Sequence, residues 1–334
     1  MTSDSMSSRP AGVSGPAGFP IGLGCMAMSG MYGPSDDGES IATVHAALDR
    51  GITLLDTGDF YGMGHNEMLI GRALTGGKRD RAFIQVKFGA QRDPAGAWLG
   101  YDARPAAVKT ALAYTLRRLN TDRIDLYQPA RLDPNVPIEE TVGAIAEMID
   151  AGYVRYVGLS EMGVETIRRA NAVHPVRSLQ LEYSLMSRGI EKAILPAMRE
   201  LGISATVYGV LSRGLLAGKR RTAFGPGDIR HRMPRWSGDN EAHNLAIVDR
   251  LAKIAREKNA TPTQLAMAWV LSRGSDIIPL AGARTRAQLD DLLGALDTRL
   301  SDDDLAQIEG AVPAEAVAGT RYDEHQMAVL DSER

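Results

Sequence analysis

The sequence predicts an α/β protein, a closed (β/α)8 TIM barrel, and three observations predict it. Short apolar runs of strand length alternate with helical patterns along the chain. Acidic, phenolic, amide and cationic residues recur where those runs end, as they do on the carboxyl face of a barrel. No domain-dividing linker interrupts the alternation, so residues 19–334 read as one domain behind a short arm. A doubly wound sheet is the competing architecture.

Composition narrows the function classes. Of the 334 residues 44% are hydrophobic, enough for a sizeable core. The 38 basic and 41 acidic residues are interspersed and leave a net charge of −3, which argues against nucleic acid and anionic membrane as partners. No apolar stretch has membrane-spanning length, and the N-terminus lacks the apolar centre of a signal peptide, so a cytoplasmic location is expected. One cysteine, Cys25, rules out an intramolecular disulfide, and the spacings of the six histidines suggest no metal site.

Residues 1–18, rich in Ser, Gly, Pro and Ala, read as a flexible arm. Gly22-Leu23-Gly24-Cys25-Met26-Ala27 then fits the G-x-G-x-x-A pattern that cradles a dinucleotide at a helix start. Met28-Ser29-Gly30-Met31-Tyr32-Gly33-Pro34 follows and cannot form the first turns of a helix, so that reading is rejected. The first helix comes later, with Ile41, Val44 and Leu48 on one face and Gly51 as its stop.

A strand at 52–55 delivers Asp56-Thr57-Gly58-Asp59-Phe60-Tyr61-Gly62 into a loop before a helix at 66–74, and a strand at 82–86 ends in Lys87. Pro105 opens a helix through Leu119, followed by a strand at 124–128 and a helix at 138–151. Strands at 155–160, 178–183 and 205–210 alternate with helices at 163–174 and 190–201, and a last strand at 276–280 precedes a helix at 285–296. Residues 211–240 break the rhythm with glycines, prolines and cations, and are expected to form a long functional loop after the seventh strand. Thr261-Pro262-Thr263-Gln264 and Thr285-Arg286-Ala287-Gln288 read as capping boxes. Ser301 caps a further helix, and the tail GTRYDEHQMAVLDSER is expected to cover part of the barrel mouth.

Asp56, Tyr61 and Lys87 can converge on one rim. A free tyrosine has a pKa near ~10, an ammonium beside it favours the phenolate, and a carboxylate keeps the ammonium charged. The trio describes a tyrosine tuned for general acid–base work. Gly282-Ala283-Arg284-Thr285-Arg286 places two arginines at a helix N-terminus, where free N–H groups and the dipole favour phosphate. The pair suggests the extra phosphate of NADPH.

DTGDFYG resembles the D-T-A-x-x-Y-G signature of the aldo-keto reductases, with Gly58 for the usual alanine. GLGCMAMSGMYG, HNEMLIGRAL, VKFG, DRIDLYQPARLDPNVPIEETVGAI, GYVRYVGLSE, LQLEYSLMSR and ILPAMRELGI resemble the same family in the same order, from about Ile21 onward. The N-terminal hairpin common in that family is poorly recognisable. The resemblance implies an NADPH-dependent oxidoreductase that reduces an aldehyde or ketone to an alcohol, or the reverse, with Tyr61 exchanging the proton. It implies a small-molecule carbonyl substrate and leaves the oligomeric state open.

The same resemblance assigns site residues. It puts Arg284 and Gln288 on the adenosine 2′-phosphate, with Asp291 in place of a usual glutamate and Leu292 in place of an asparagine. It puts Ser160 and Gln180 on the nicotinamide carboxamide, Tyr208 stacked on the ring, and Gly24, Cys25, Met26 and Asp56 beside it. Gly209, Val210, Leu211, Ser212, Arg213, Gly214 and Lys219 resemble a strap over the pyrophosphate, with Arg230 a further candidate. Tyr32, Tyr61 and Ala130 are expected to line the substrate pocket. Ala130 falls where the family carries a catalytic histidine, and a methyl group cannot hydrogen-bond a carbonyl. Strand alternation predicts that Arg131 points away from the pocket and that Gln128 lies one layer deeper. A catalytically weak NADPH-binding redox sensor is the alternative reading.

Overall fold

The computed structural model describes residues 20–218, 224–225 and 227–334, so the predicted arm at 1–18 and Lys219 lie outside the described residues. The strands are β1 Gly22–Gly24, β2 Leu54–Gly58, β3 Phe83–Phe88, β4 Ala90–Arg92, β5 Trp98–Tyr101, β6 Ile124–Pro129, β7 Val154–Ser160, β8 Val176–Glu182, β9 Ser204–Tyr208 and β10 Ile277–Ala281. Eight of them close in the order β1-β10-β9-β8-β7-β6-β3-β2, every neighbouring pair parallel. That closed ring is the predicted barrel and excludes the doubly wound sheet. β4 and β5 form a separate antiparallel hairpin that the sequence reading missed. Each is too short, at three and four residues, to show an alternation of its own.

The helices are α1 Asp37–Asp49, α2 His65–Ala73, α3 Pro105–Leu119, α4 Ile138–Asp150, α5 Val164–Val173, α6 Ile194–Glu200, α7 Asp239–Glu257, α8 Pro262–Ser272, α9 Arg286–Leu293, α10 Asp302–Ala311 and α11 Glu324–Ala328. None is long and apolar enough to cross a membrane. Local chemistry explains the well-placed starts. Pro105 and Pro262 sit in the first turns of α3 and α8, where a missing N–H costs nothing. The Thr261 box is reciprocal, with Gln264 N donating to Thr261 Oγ1 at 3.1 Å and Thr261 N donating to Gln264 Oε1 at 3.0 Å. The predicted second box is only half formed. Thr285 Oγ1 accepts from Gln288 N, but Gln288 Oε1 accepts from Arg284 N at 3.0 Å instead.

The described parts of the long loop hold 3-10 turns at Ser212–Ala217, Ile229–Arg232 and Pro234–Trp236 before α7 begins at Asp239. Inside the barrel, Leu54, Phe83, Leu126 and Leu280 form a compact apolar cluster. A Cβ on Gly22 would meet Leu54 Cδ2 at 2.3 Å, and one on Gly158 would meet Leu126 Cδ2 at 2.3 Å, so these two glycines make the room the leucines fill. Burial of such side chains contributes roughly 1.5–3 kcal/mol each. The closed ring holds the strand ends in fixed register, with Lys87 beside Gly58 and Gln128, Ser160 beside Gln180, and Glu182 beside Tyr208.

Candidate active site

Asp56 and Lys87 lie on two adjacent strands, β2 and β3, and their side chains meet. Lys87 Nζ donates to both Asp56 oxygens, at 2.7 and 2.9 Å, and both residues are 3% exposed. Asp56 Oδ1 also accepts from Gln180 Nε2 at 2.7 Å and Gln85 Nε2 at 3.1 Å, so the buried charge is surrounded by donors. Tyr61 opens a 3-10 turn directly after β2, with Gly62 and Met63 in the left-handed region at φ 56° and 54°. Asn66, on α2, pins that turn to the segment after β1. Its Nδ2 donates to Cys25 O at 2.9 Å and Ser29 Oγ at 2.8 Å, and its Oδ1 accepts from Thr57 Oγ1 at 2.7 Å. Lys87 Nζ then lies 5.0 Å from the centre of the Tyr61 ring, and Phe60 packs edge-on against that ring at 4.8 Å. A Cβ on Gly58 would sit 3.1 Å from the Phe60 ring, which links the missing methyl to the ring's position.

The electrostatics differ from the sequence argument in one respect. Burial, followed by the Asp56 charge, holds the Tyr61 hydroxyl well above its ordinary pKa, and the cation that opposes this is Arg131. Burial also lowers the Lys87 pKa, against the pull of Asp56. Tyr61 is thus kept as a phenol, a proton donor, at neutral pH.

A cavity of about 940 Å³ opens over this trio. Tyr61, Lys87, Asp56, Tyr32 and Ala130 line it, as does Arg131. The expectation that Arg131 points away is overturned. β6 ends at Pro129 and residues 130–131 form a bend, so the alternation that governs a strand no longer applies. Arg131 Nη1 donates to Ala130 O at 2.6 Å and Nη2 to Tyr322 Oη at 3.2 Å. Gln128 is buried, its side-chain nitrogen and oxygen both without a partner among the described residues.

The cofactor candidates divide. Gly24, Met26, Gln180, Tyr208, Gly209, Val210, Leu211, Arg213, Gly214, Arg230, Gly282, Arg284, Gln288, Asp291 and Leu292 all line the cavity. Cys25 does not. Its Sγ donates to Leu23 O, and burial pushes the thiol pKa up, so it is a packing residue. Ser212 is turned into the loop and accepts from Arg235 Nη1 at 3.3 Å. Ser160 is fully buried, and its Oγ has no partner. Arg230 serves the loop itself, with its guanidinium on Asp228 at 2.9 and 2.5 Å and stacked against Tyr32, Phe224 and Trp236. The two-arginine phosphate signature reduces to one arginine. Arg286 pairs with half-buried Glu39 at 2.9 Å, off the cavity, while Arg284 lines it with Nη1 on the Tyr32, Gly33 and Pro34 carbonyls. Among the described residues no group of His, Cys, Asp and Glu is placed to hold a metal ion.

The sequence reading missed two parts of the wall, the hairpin, which supplies Arg92, Trp98 and Tyr101, and the bend after β6, which supplies Arg131; the tail reaches the mouth as expected, with Tyr322, Asp323 and Gln326. The Trp98-Leu99-Gly100-Tyr101 cluster, exposed by composition yet aromatic, was the available signal for the first.

Known proteins match this arrangement along most of the chain. The profile of the aldo/keto reductase family matches residues 20–313. Probable aldo-keto reductase 1 of Glycine max is 40% identical over 309 residues, covering 90% of this chain and 88% of its own. The Schizosaccharomyces pombe protein named aldo-keto reductase yakc, NADP(+), is 40% identical over 308 residues, covering 90% and 91%. Among solved structures, a glycerol dehydrogenase from Gluconobacter oxydans superposes with a TM-score of 0.81 at 31% identity, over 90% of this chain and 94% of its own. The chain belongs to the aldo/keto reductase family.

Proposed function

We propose that Tyr61 is the proton donor of an NADPH-dependent carbonyl reduction, and that Lys87 and Asp56 hold it in place. The protein is an NADP(H)-dependent oxidoreductase acting on a small carbonyl compound. The observation that carries the reading is the buried Lys87–Asp56 pair set against the Tyr61 ring at the floor of the cavity. A desolvated ion pair of this kind costs stability unless it is well bonded, and perturbed groups gathered in one cleft mark a reaction site.

The residues present fit the cofactor. Ser160 Oγ is a buried hydroxyl with no partner among the described residues, Tyr208 presents its ring to the cavity, and Arg284 with Gln288 stands at the start of α9 for the added phosphate. When bound, NADPH supplies the hydride for the carbonyl carbon. Tyr61 gives its hydroxyl proton to the carbonyl oxygen, and its raised pKa keeps that proton available. Lys87 stabilises the phenolate left behind, and Asp56 with Gln180 keeps Lys87 from swinging away.

Ala130 stands at the family's histidine position and takes no part in orienting the carbonyl, so the catalytic advantage over solution rests on Tyr61 and the cofactor. That methyl group is also what favours the second reading, a weakly active NADPH sensor. NADPH consumption with a panel of aldehydes and ketones, and NADP⁺ reduction with polyols such as glycerol, decides between them. Turnover in either direction is expected; NADPH binding with no turnover across the panel contradicts the reductase.

A further inference from the structure

Two guanidinium groups reach the substrate half of the cavity with no carboxylate on them. Arg131 bonds the Ala130 carbonyl and the Tyr322 hydroxyl, both neutral acceptors. Arg92, at the end of β4, donates to Gly96 O at 2.9 Å and lies 5.4 Å from the Trp98 ring, and its Nε is buried without a partner. Among the described residues neither forms an ion pair.

Two other arginines that line the cavity are paired, Arg213 with Glu182 at 3.2 Å and Arg230 with Asp228, and so is Arg321 of the tail, with Glu161; among the described residues Arg284 rests on backbone carbonyls and Arg232 on His231. Asp323, which lines the cavity, uses one oxygen to cap α11, accepting from Gln326 N at 2.8 Å. Glu161 is bonded by Arg321, Ser332, the Tyr208 hydroxyl and the Glu182 amide, and its charge reaches Arg131 without a direct ion pair. A guanidinium that faces a cavity with no carboxylate bonded to it keeps charge and N–H donors available for an anion supplied from outside. Arg131 is also the cation whose field reaches the Tyr61 hydroxyl, which puts it on the reacting side. The small Ala130 beside it also lines the cavity.

We propose that the substrate is an anionic carbonyl compound, bearing a carboxylate or a phosphate, and that Arg131, aided by Arg92, holds the anion while the carbonyl lies against Tyr61. This rests on the reductase reading and adds the substrate class to it. The anion is bound and not transformed; the carbonyl alone takes up hydride and proton.

The test compares matched pairs: para-carboxybenzaldehyde against its methyl ester, and glyceraldehyde phosphate against glyceraldehyde. The wild-type protein is expected to prefer the anion of at least one pair by about tenfold or more in kcat/KM, as a charge-assisted bond to arginine provides. Which pair shows the preference identifies carboxylate or phosphate. Arg131→Met should bring that ratio close to one, and Arg131→Lys should keep part of it, which separates loss of charge from loss of fold. Turnover of neutral aldehydes with no preference for either anion overturns the proposal and leaves the reductase standing. Retention of the full preference in Arg131→Met also overturns it. Should no carbonyl turn over, the reductase reading fails, and calorimetric titration with benzoate and inorganic phosphate decides. Binding at least tenfold tighter to wild type than to Arg131→Met supports the anion site, and equal binding overturns it.

Discussion

Arg321 lays both terminal nitrogens on the Glu161 carboxylate, at 3.0 and 2.5 Å, and so fastens the tail to the end of β7. Ser332 adds its hydroxyl to the same carboxylate at 2.5 Å, and Asp331 accepts from Gly163 N at 2.7 Å. Tyr322, next to Arg321, is thereby set over the cavity with its hydroxyl 2.8 Å from that of Tyr208. The tail is a wall of the site, held by buried charge.

Replacing Arg321 by methionine leaves Glu161 buried without its main counter-charge. We expect a loss of about 3–5 kcal/mol in unfolding free energy, with KM for the carbonyl substrate rising more than kcat falls. Burial raises the Glu161 carboxyl, but Arg321, Arg131 and Ser332 outweigh it and hold the group at about 2. A depressed carboxylate contributes stability above its ordinary 4.5, and that contribution is lost as pH falls toward about 2. Thermal melts of wild type and Arg321→Met across acid pH should therefore converge at the acid end.

Asp59 has the opposite sign. Burial, then the charge of Glu67, raises its carboxyl from 3.8 to about 7, and its Oδ1 has no partner. The folded state binds this proton more tightly than the unfolded chain, so stability is full below about 4 and declines as pH rises to about 7. Asp59→Asn should remove the decline, giving a gain on the order of 2–4 kcal/mol in mildly alkaline buffer and little in mild acid. Melting curves at the two pH values check it.

Lys87→Met strands the Asp56 carboxylate among amide donors. The expected cost is roughly 3–5 kcal/mol of stability together with loss of turnover. Adding Asp56→Asn should recover much of the stability and none of the activity. A double-mutant cycle in chemical denaturation, run beside the activity assay, separates the two roles.

Arg284 is the single cavity-facing arginine at the start of α9, since Arg286 is committed to Glu39. Arg284→Ala should weaken NADPH by about tenfold to a hundredfold and NADH far less, while Arg286→Ala should leave both nearly unchanged. Fluorescence titration with each nucleotide measures the ratio.

The barrel was legible because its strands are apolar and its helices carry their own start signals, such as Pro105 and the Thr261 box. Asp56, Tyr61 and Lys87 were legible because each lies in or just beyond the C-terminal half of such a strand. Arg131 was misplaced because alternation was carried past Pro129, where the strand stops. Arg286 was misassigned because a sequence shows a cation at a helix start but not the Glu39 that claims it across 247 positions. The hairpin strands are too short to show an alternation, and the tail was expected at the barrel mouth but the contacts that hold it there, such as Arg321 with Glu161, are distant in sequence and no local pattern announces them.

The central claim is that Tyr61 supplies the proton, and Tyr61→Phe tests it most directly. The account predicts a fall in kcat of about 10²–10⁴, with the affinity for NADPH retained, because the ring and its contacts with Lys87 and Phe60 remain. Turnover within a few fold of wild type would contradict it.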